Sequence, residues 1–248
     1  MLRKILSMLA IIVGMSAYSQ GQTYKIGDYY DDGNGVKGYV FEVSGDGHHG
    51  KIYGYPRASG RLISLGSKAM IEAGIPEMRN AGGEIMPALM AANLIWADAT
   101  SRTDGQANSD KILGKLKEVQ SKYGFKYMSG ISEVYADLDS RRKLTDNGWY
   151  VPAIDELKSL YAAVAQDDFL ELMKAHFLNN REVRGMSTEQ YWKDFVRIPP
   201  TAYIWSSTQL NPADKGESNM LVLNLADGQT LYYSPSDFKF WEIFIHKF

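Results

Sequence analysis

The order of strand-like and helix-like segments most limits the folds open to this chain of 248 residues. Short runs of β-branched and aromatic residues at both ends enclose a longer middle part, in which apolar residues recur with helical spacing. Strands and helices that are separated in this way are typical of α+β proteins with an antiparallel sheet. Because the first and last strands both flank the helical middle, we expect them to pair in that sheet.

Turn residues divide the two strand-rich ends into short segments. Residues 36–43 and 51–55 are the first candidates, and the glycines and Asp46 between them fit a tight hairpin turn. In the last part of the chain, Asp227-Gly228 marks a second hairpin. The strand candidates there are residues 202–206, 220–225, 230–233 and 241–247.

Residues 67–100 are predicted to be helical with breaks at Pro76, Gly82-Gly83 and Pro87, and three further helical segments follow them. Residues 109–123 carry an apolar stripe, with Ser109 as N-cap and Gly124 at the C-terminal end. A second helix opens at Pro152 and places Asp155 and Glu156 in its first turn, where the helix dipole favours acids. Residues 168–177 form a third helical run.

Residues 1–19 are predicted to be a cleaved signal peptide. Arg3 and Lys4 precede an apolar run that is shorter than the ~20 residues a membrane span needs. The small residues Ala17 and Ser19 place the cut between Ser19 and Gln20. We therefore expect a secreted product, periplasmic or on the outer surface, without a transmembrane segment after cleavage. Residues 20–35 then form a short leader, and residues 36–248 a single domain.

The chain contains no cysteine, which excludes thiol nucleophiles, cysteine–zinc sites, disulfides and a lipid attached through a cysteine. The formal net charge is −2, and the charged residues are spread along the chain without runs. A nucleic-acid-binding protein needs a basic field, so we expect no nucleic-acid partner.

Three motifs follow one another in a familiar order. They are Asp104-Gly105 with Asn108, the stretch from Gly148 to Leu157, and Trp205-Ser206-Ser207-Thr208. Together with Asp227-Gly228, they resemble an exported bacterial family of unknown function that is related to the C-terminal domain of a collagen-like adhesin. The resemblance covers residues 36–248, with 179–200 as a variable insertion. Val151 and Ala153 replace the usual Leu and Ser of the family.

The resemblance implies a C-type-lectin-like fold, in which N- and C-terminal strands pair and two main helices pack on the sheet. This fold is distantly shared with formylglycine-generating enzymes. The chemistry of those enzymes requires cysteine, so this chain does not perform it. The resemblance therefore favours a binding protein over that enzyme, although a fold alone does not determine function.

Two motifs supply the candidate site residues. For Trp149, Pro152, Glu156 and Leu157 we favour a structural role, with Trp149 in the core and Pro152 at a helix start, over a place in a ligand site. The hydroxyls beside Trp205 (Ser206, Ser207 and Thr208) line a polar pocket or cap a loop. The nearby Asn211 and Asp214 extend the predicted ligand site. No Gly-x-Ser-x-Gly context accompanies these serines, which argues against a nucleophile.

A calcium ion is the one cofactor for which the sequence offers ligands. Asp104, Asn108 and Asp110 carry oxygens suited to a hard cation, but turn and capping roles explain them equally well. The sugar- and calcium-binding motifs of true lectins, such as Glu-Pro-Asn followed by Trp-Asn-Asp, are absent. His48 and His49 are neighbours and would point to opposite faces of a strand. His176 and His246 stand alone, and we expect the histidines to be surface or hairpin residues.

These features predict a non-enzymatic, exported binding or adhesion protein of the bacterial envelope. Its expected partner is a glycan, a surface polymer or an extracellular protein. One alternative is a structural or tip subunit of a surface fibre. A second alternative is a hydrolase that uses Asp155 and Glu156, but neighbouring carboxylates on a helix point in different directions.

Overall fold

The computed structural model describes residues 21–54, 57–58, 67–79, 82–124, 130–146, 148–163, 203–211, 219–224, 227–234 and 240–248. These residues form five helices and nine strands in an α+β fold, which confirms the predicted class. No helix among them has the length and hydrophobicity to cross a membrane. The predicted signal peptide, the helix at 168–177 and the insertion at 179–200 lie outside the described residues.

The strands form two sheets where one was predicted. The antiparallel first sheet has the order β1 (Tyr29–Asp31), β2 (Lys37–Val43), β3 (Gly50–Tyr53) and β9 (Ile245–Lys247). The second sheet has the order β4 (Arg57–Ala58), β8 (Trp241–Glu242), β5 (Tyr203–Leu210), β6 (Asn219–Asn224) and β7 (Thr230–Tyr233). In the second sheet, β5 and β8 are parallel and the other pairs are antiparallel.

The predicted pairing of N- and C-terminal strands is confirmed. Strand β9 pairs with β3, and β8 pairs with β4. The segment 241–247, predicted to be one strand, divides at the buried residues Ile243 and Phe244 and so serves both sheets. The predicted leader also enters the fold, because β1 lies within it and pairs with β2. Both predicted hairpin turns are present, with Gly47 and Gly228 in the left-handed region at φ 74° and 69°.

The helices are α1 (Ser67–Glu72), α2 (Pro87–Leu94), α3 (Gly105–Tyr123), α4 (Gly130–Leu144) and α5 (Ile154–Ala163). Helix α3 begins four residues earlier than predicted, because Asp104 and not Ser109 is its N-cap and accepts from the N–H of Ala107 at 3.0 Å. Gly124 ends it in the left-handed region, as predicted. Helix α5 begins at Ile154, so Pro152 precedes the helix and does not open it.

The main core lies between the two sheets and helices α3 and α4. It includes Ile52 from the first sheet and Trp205 from the second, together with Trp149, and both tryptophans are buried as predicted. A second cluster joins Leu157 and Leu160 of α5 to residues of both sheets. Helix α5 therefore covers part of one face of the first sheet. Its position determines which side chains of that face are exposed.

Candidate functional site

Glu156 lies at the centre of a buried polar network at the start of α5, and 6% of the residue is exposed. The backbone N–H groups of Gly105 and Ala153 each donate to its Oε2 at 3.0 Å. The hydroxyl of Tyr150 donates to Oε1 at 3.0 Å, and Nζ of Lys51 lies 3.4 Å from the same oxygen. Glu156 thereby caps its own helix from the third position, which explains why α5 starts after Pro152.

These contacts give Glu156 the role of an acceptor. Burial and the neighbouring Glu156 carboxylate raise the pKa of Tyr150, so its hydroxyl keeps its proton and remains a donor. The adjacent Asp155 turns to the surface, where Nη2 of Arg102 lies 2.9 Å from its Oδ1. The two carboxylates have separate partners and do not converge on a common space, in line with the prediction that they make a poor acid–base pair.

The Trp205 stretch is buried throughout and its hydroxyls hold neighbouring segments. Ser206 Oγ donates to the carbonyl of Leu221 at 2.7 Å. Thr208 Oγ1 donates to the carbonyl of Ser101 at 2.9 Å and accepts from the N–H of Ile154 at 3.0 Å. Of the two predicted roles, the geometry supports capping and gives no support to ligand contact.

Of the remaining members of the predicted ligand site, Ser207 and Asn211 are described and lie in different surroundings. Ser207 is buried, and its Oγ accepts from Nδ2 of Asn108 at 3.4 Å. Asn211 is exposed at the end of β5, and Asp214 lies outside the described residues.

The sequence prediction missed Gln209, which is buried and fastens the segment before α3 to the second sheet. Its Oε1 accepts from the N–H groups of Ala97 and Ala99 at 2.9 and 3.3 Å, and its Nε2 donates to the carbonyl of Ile95 at 3.0 Å. Its only signal in the sequence is its position directly after three hydroxyl residues. The partners lie more than a hundred residues away in the chain, which a local pattern does not reveal.

The three predicted calcium ligands have separate protein partners. Asp104 caps α3, Asn108 Oδ1 accepts from the N–H of Ser101 at 3.1 Å, and Asp110 pairs with Nη1 of Arg142 at 2.7 Å. Among the described residues, no three His, Asp or Glu side chains are placed to hold a metal ion together. Calcium binding by these residues stays a prediction that their contacts do not favour.

Two of the three described histidines lie where they were predicted. His48 and His49 are exposed in the β2–β3 hairpin. For His246 the prediction is wrong, because its side chain is 12% exposed and its Nε2 lies 2.8 Å from Oδ1 of Asp146. Side chains alternate along a strand, so His246 faces Trp149 while Ile245 and Lys247 face the opposite side of β9.

The opposite face of the first sheet also carries exposed side chains. The strand register places Tyr29, Tyr39 and Tyr53 in one row with Ile245. It places Glu42, Lys51 and Lys247 in a second row, on the same face because a bulge lies between Val40 and Glu42. The second cluster, with α5, buries Tyr53 and Ile245 in the middle of this face. The two ends of the face stay open.

At one end lies a group that we call the β1–β2 patch, made of Tyr29, Asp31, Lys37 and Tyr39. Tyr29 is 45% exposed, and its ring centroid lies 5.3 Å from that of the half-buried Tyr39. Nζ of Lys37 lies 2.8 Å from Oδ2 of Asp31, which faces it across the two strands. The side chain of Lys37 and the neighbouring N–H of Gly33 hold the pKa of Asp31 below its ordinary value.

At the other end lies a cleft of about 380 Å³, which we call the hairpin cleft. It is lined by Glu42, Val43, Ser44, His49, Gly50, Lys51, Lys247 and Phe248. Lys51 is held between two carboxylates, with Nζ 2.9 Å from Oε2 of Glu42 and 3.4 Å from Oε1 of Glu156. Lys247 is exposed, and its Nζ lies 5.8 Å from the ring centroid of Tyr150.

The alternation of Tyr and charged residues between positions 29 and 39 was the sequence signal for the β1–β2 patch, but this segment was assigned in part to a leader.

In comparisons with known proteins, no family model matches the chain and no curated protein is significantly similar to it. The resemblance to the adhesin-related family therefore stays a prediction.

Proposed function

We propose that this chain is a non-enzymatic, exported binding or adhesion protein of the bacterial envelope, with a glycan or surface polymer as its ligand. The observation that carries the proposal is the β1–β2 patch, in which two tyrosine rings stand beside an ion pair on an open sheet face. Export is supported by the signal pattern of residues 1–19.

The β1–β2 patch combines the two kinds of group that recognise sugars. A tyrosine ring offers an apolar face for the C–H groups of a sugar ring and a hydroxyl at its tip. Asp31 and Lys37 offer charge-assisted hydrogen bonds to sugar hydroxyls, which are stronger than neutral ones. Tyr29, Asp31 and Lys37 are exposed and Tyr39 is half-buried on the same face, so a long polymer has access to all four side chains.

A glycan array with the chain from Gln20 onward tests the proposal. We expect binding to a defined subset of glycans, and we expect Tyr29→Ala to weaken it by about tenfold, as for a central aromatic contact. The matched control is Tyr232→Ala, which removes a tyrosine of similar exposure (52%) from β7 of the other sheet. That variant should bind as the unchanged protein does.

Two results would contradict the proposal. A blank array, with no binding to extracellular matrix proteins either, would remove its basis. Equal weakening by Tyr29→Ala and Tyr232→Ala would show that the β1–β2 patch is not the contact surface.

A further inference from the structure

We infer that the hairpin cleft binds an acidic group, the carboxylate or sulfate of an acidic polysaccharide. The inference rests on the proposed function, because it specifies the chemical class of the glycan. It concerns a second contact on the same sheet face, at the end opposite the β1–β2 patch.

The two lysines of the hairpin cleft differ in their acidic partners. Lys51 is committed to Glu42 and Glu156, and Glu156 is buried and saturated with donors. Lys247 forms no ion pair with any residue that the structure describes, and its ammonium group rests near the Tyr150 ring. A cation that is exposed at the rim of a concave site and lacks an acidic partner is a ready contact for an anion.

The register of β3 and β9 places the two lysines side by side. Lys51 and Lys247 are directly opposite each other, and like charges in this position destabilise a strand pair. Glu42 faces Lys51 from the other side, on β2, and so does not lie between the two lysines. Glu42 and Glu156 offset the charge of Lys51, so an anion in the cleft would serve as the partner of Lys247.

The other lining residues and the volume of the cleft bear on what it can hold. Phe248 also borders the cleft, but its ring packs against Tyr24 and Tyr30 on the other face of the sheet. The exposed His49 supplies a further polar group at the rim. The volume of about 380 Å³ lies in the range of about 300–1,000 Å³ that small-ligand sites occupy. The cleft therefore has room for a charged sugar unit as well as its acidic group.

Calorimetric titration with three oligosaccharides of equal length provides the test: one carrying uronic carboxylates, one carrying sulfate esters, and one neutral. We expect Lys247→Met to weaken binding of the acidic ligands by about tenfold, as loss of a charged hydrogen bond does, and to leave neutral binding unchanged. We expect Glu42→Gln to tighten acidic binding by about threefold, since it removes a repelling carboxylate and leaves Lys51 with Glu156 as its one acidic partner among the described residues. The uronic and sulfated ligands distinguish the two sources of the acidic group.

Controls separate this effect from a change in folding. Lys247→Arg keeps the charge and should keep the binding, while Lys68→Met removes a lysine whose side chain is 89% exposed on α1 and should change nothing. Opposite shifts from Lys247→Met and Glu42→Gln do not arise from general damage to the fold.

The outcomes distinguish the inference from the proposed function. Equal affinity for acidic and neutral ligands, insensitive to Lys247→Met but lost with Tyr29→Ala, overturns the inference and leaves the function standing. Acidic binding that is lost with Lys247→Met but retained with Tyr29→Ala supports the inference and overturns the β1–β2 patch as contact surface. No binding to any of the three ligands overturns the inference, while the proposed function is decided by the glycan array.

Discussion

Gly105 shows how one residue fixes the junction between α3 and α5. A Cβ at this position would lie 2.5 Å from the backbone N of Ala153 and 2.6 Å from Oε2 of Glu156 and the carbonyl oxygen of Val151. Backbone atoms do not yield as a flexible side chain does, so only glycine lets the start of α3 approach this closely. The structure thus explains the Asp104-Gly105 motif, because Asp104 caps the helix and Gly105 leaves space for the Glu156 carboxylate.

A pair of glycine substitutions in α3 tests this account. Gly105→Ala should lower the free energy of unfolding by about 2–3 kcal/mol, because the added methyl group overpacks the junction. Gly114→Ala, at an exposed position of the same helix with open space around its Cβ, should raise it by about 0.5–1 kcal/mol. Urea unfolding measures both. Similar changes in the two variants would refute the role assigned to Gly105.

Strand β9 contacts a different part of the molecule with each of its two faces. Ile245 packs in the second cluster with α5, while His246 meets Trp149 and Asp146 on the other side. Burial works to raise the pKa of Asp146, but the N–H of Gly148, the hydrogen bond with His246 and the charges of His246 and Arg142 hold it below its ordinary value. The contact therefore fastens β9 to the segment before Trp149 in a pH-dependent way.

The sign of the dependence follows from the lowered pKa of Asp146. The native state favours the carboxylate, so its contribution is complete well above the ordinary pKa of 3.8 and is lost as the pH falls through the native value. Asp146→Asn should therefore lower the urea midpoint at pH 6, and the difference from the unchanged protein should shrink by pH 3. A difference that stays constant between these pH values would contradict this assignment.

The sequence predicted elements best where the deciding contacts are local. The hairpin glycines, the Gly124 helix end and the acids in the first turn of α5 depend on neighbouring residues, and these predictions were confirmed. The predicted start of α3 was wrong because the Ser109 hydroxyl, a plausible cap, bonds to a residue that is distant in the sequence. Its Oγ accepts from the N–H of Val151 at 3.0 Å. The split of segment 241–247 depends on two different strand partners, β4 and β3, which no local pattern shows.

For the whole molecule, the main feature is one core that serves both sheets. Ile52 of the first sheet and Val222 of the second belong to the same cluster, together with Ile112 of α3 and Leu138 of α4. The sequence predicted the α+β class and the buried tryptophans Trp149 and Trp205. It did not predict the two open ends of the first sheet, because those depend on where α5 lies over the strands.

A shared core should make the described fold unfold as one unit. We expect urea unfolding curves from far-ultraviolet circular dichroism and from tryptophan fluorescence to coincide, since Trp149 and Trp205 lie in the cluster that joins the sheets. Two separated transitions would show that the sheets are independent of each other.

The position of β8 and β9 in the chain also bears on the order in which the sheets form during synthesis. Residues 240–248 are the last of the described residues to leave the ribosome, and until they do, β3 lacks β9 and β5 lacks β8. Neither sheet is complete in a nascent chain, and pairings this distant in sequence form slowly. Both sheets therefore close only after residues 240–248 are available, and a chain cut before residue 240 would lack a strand in each sheet.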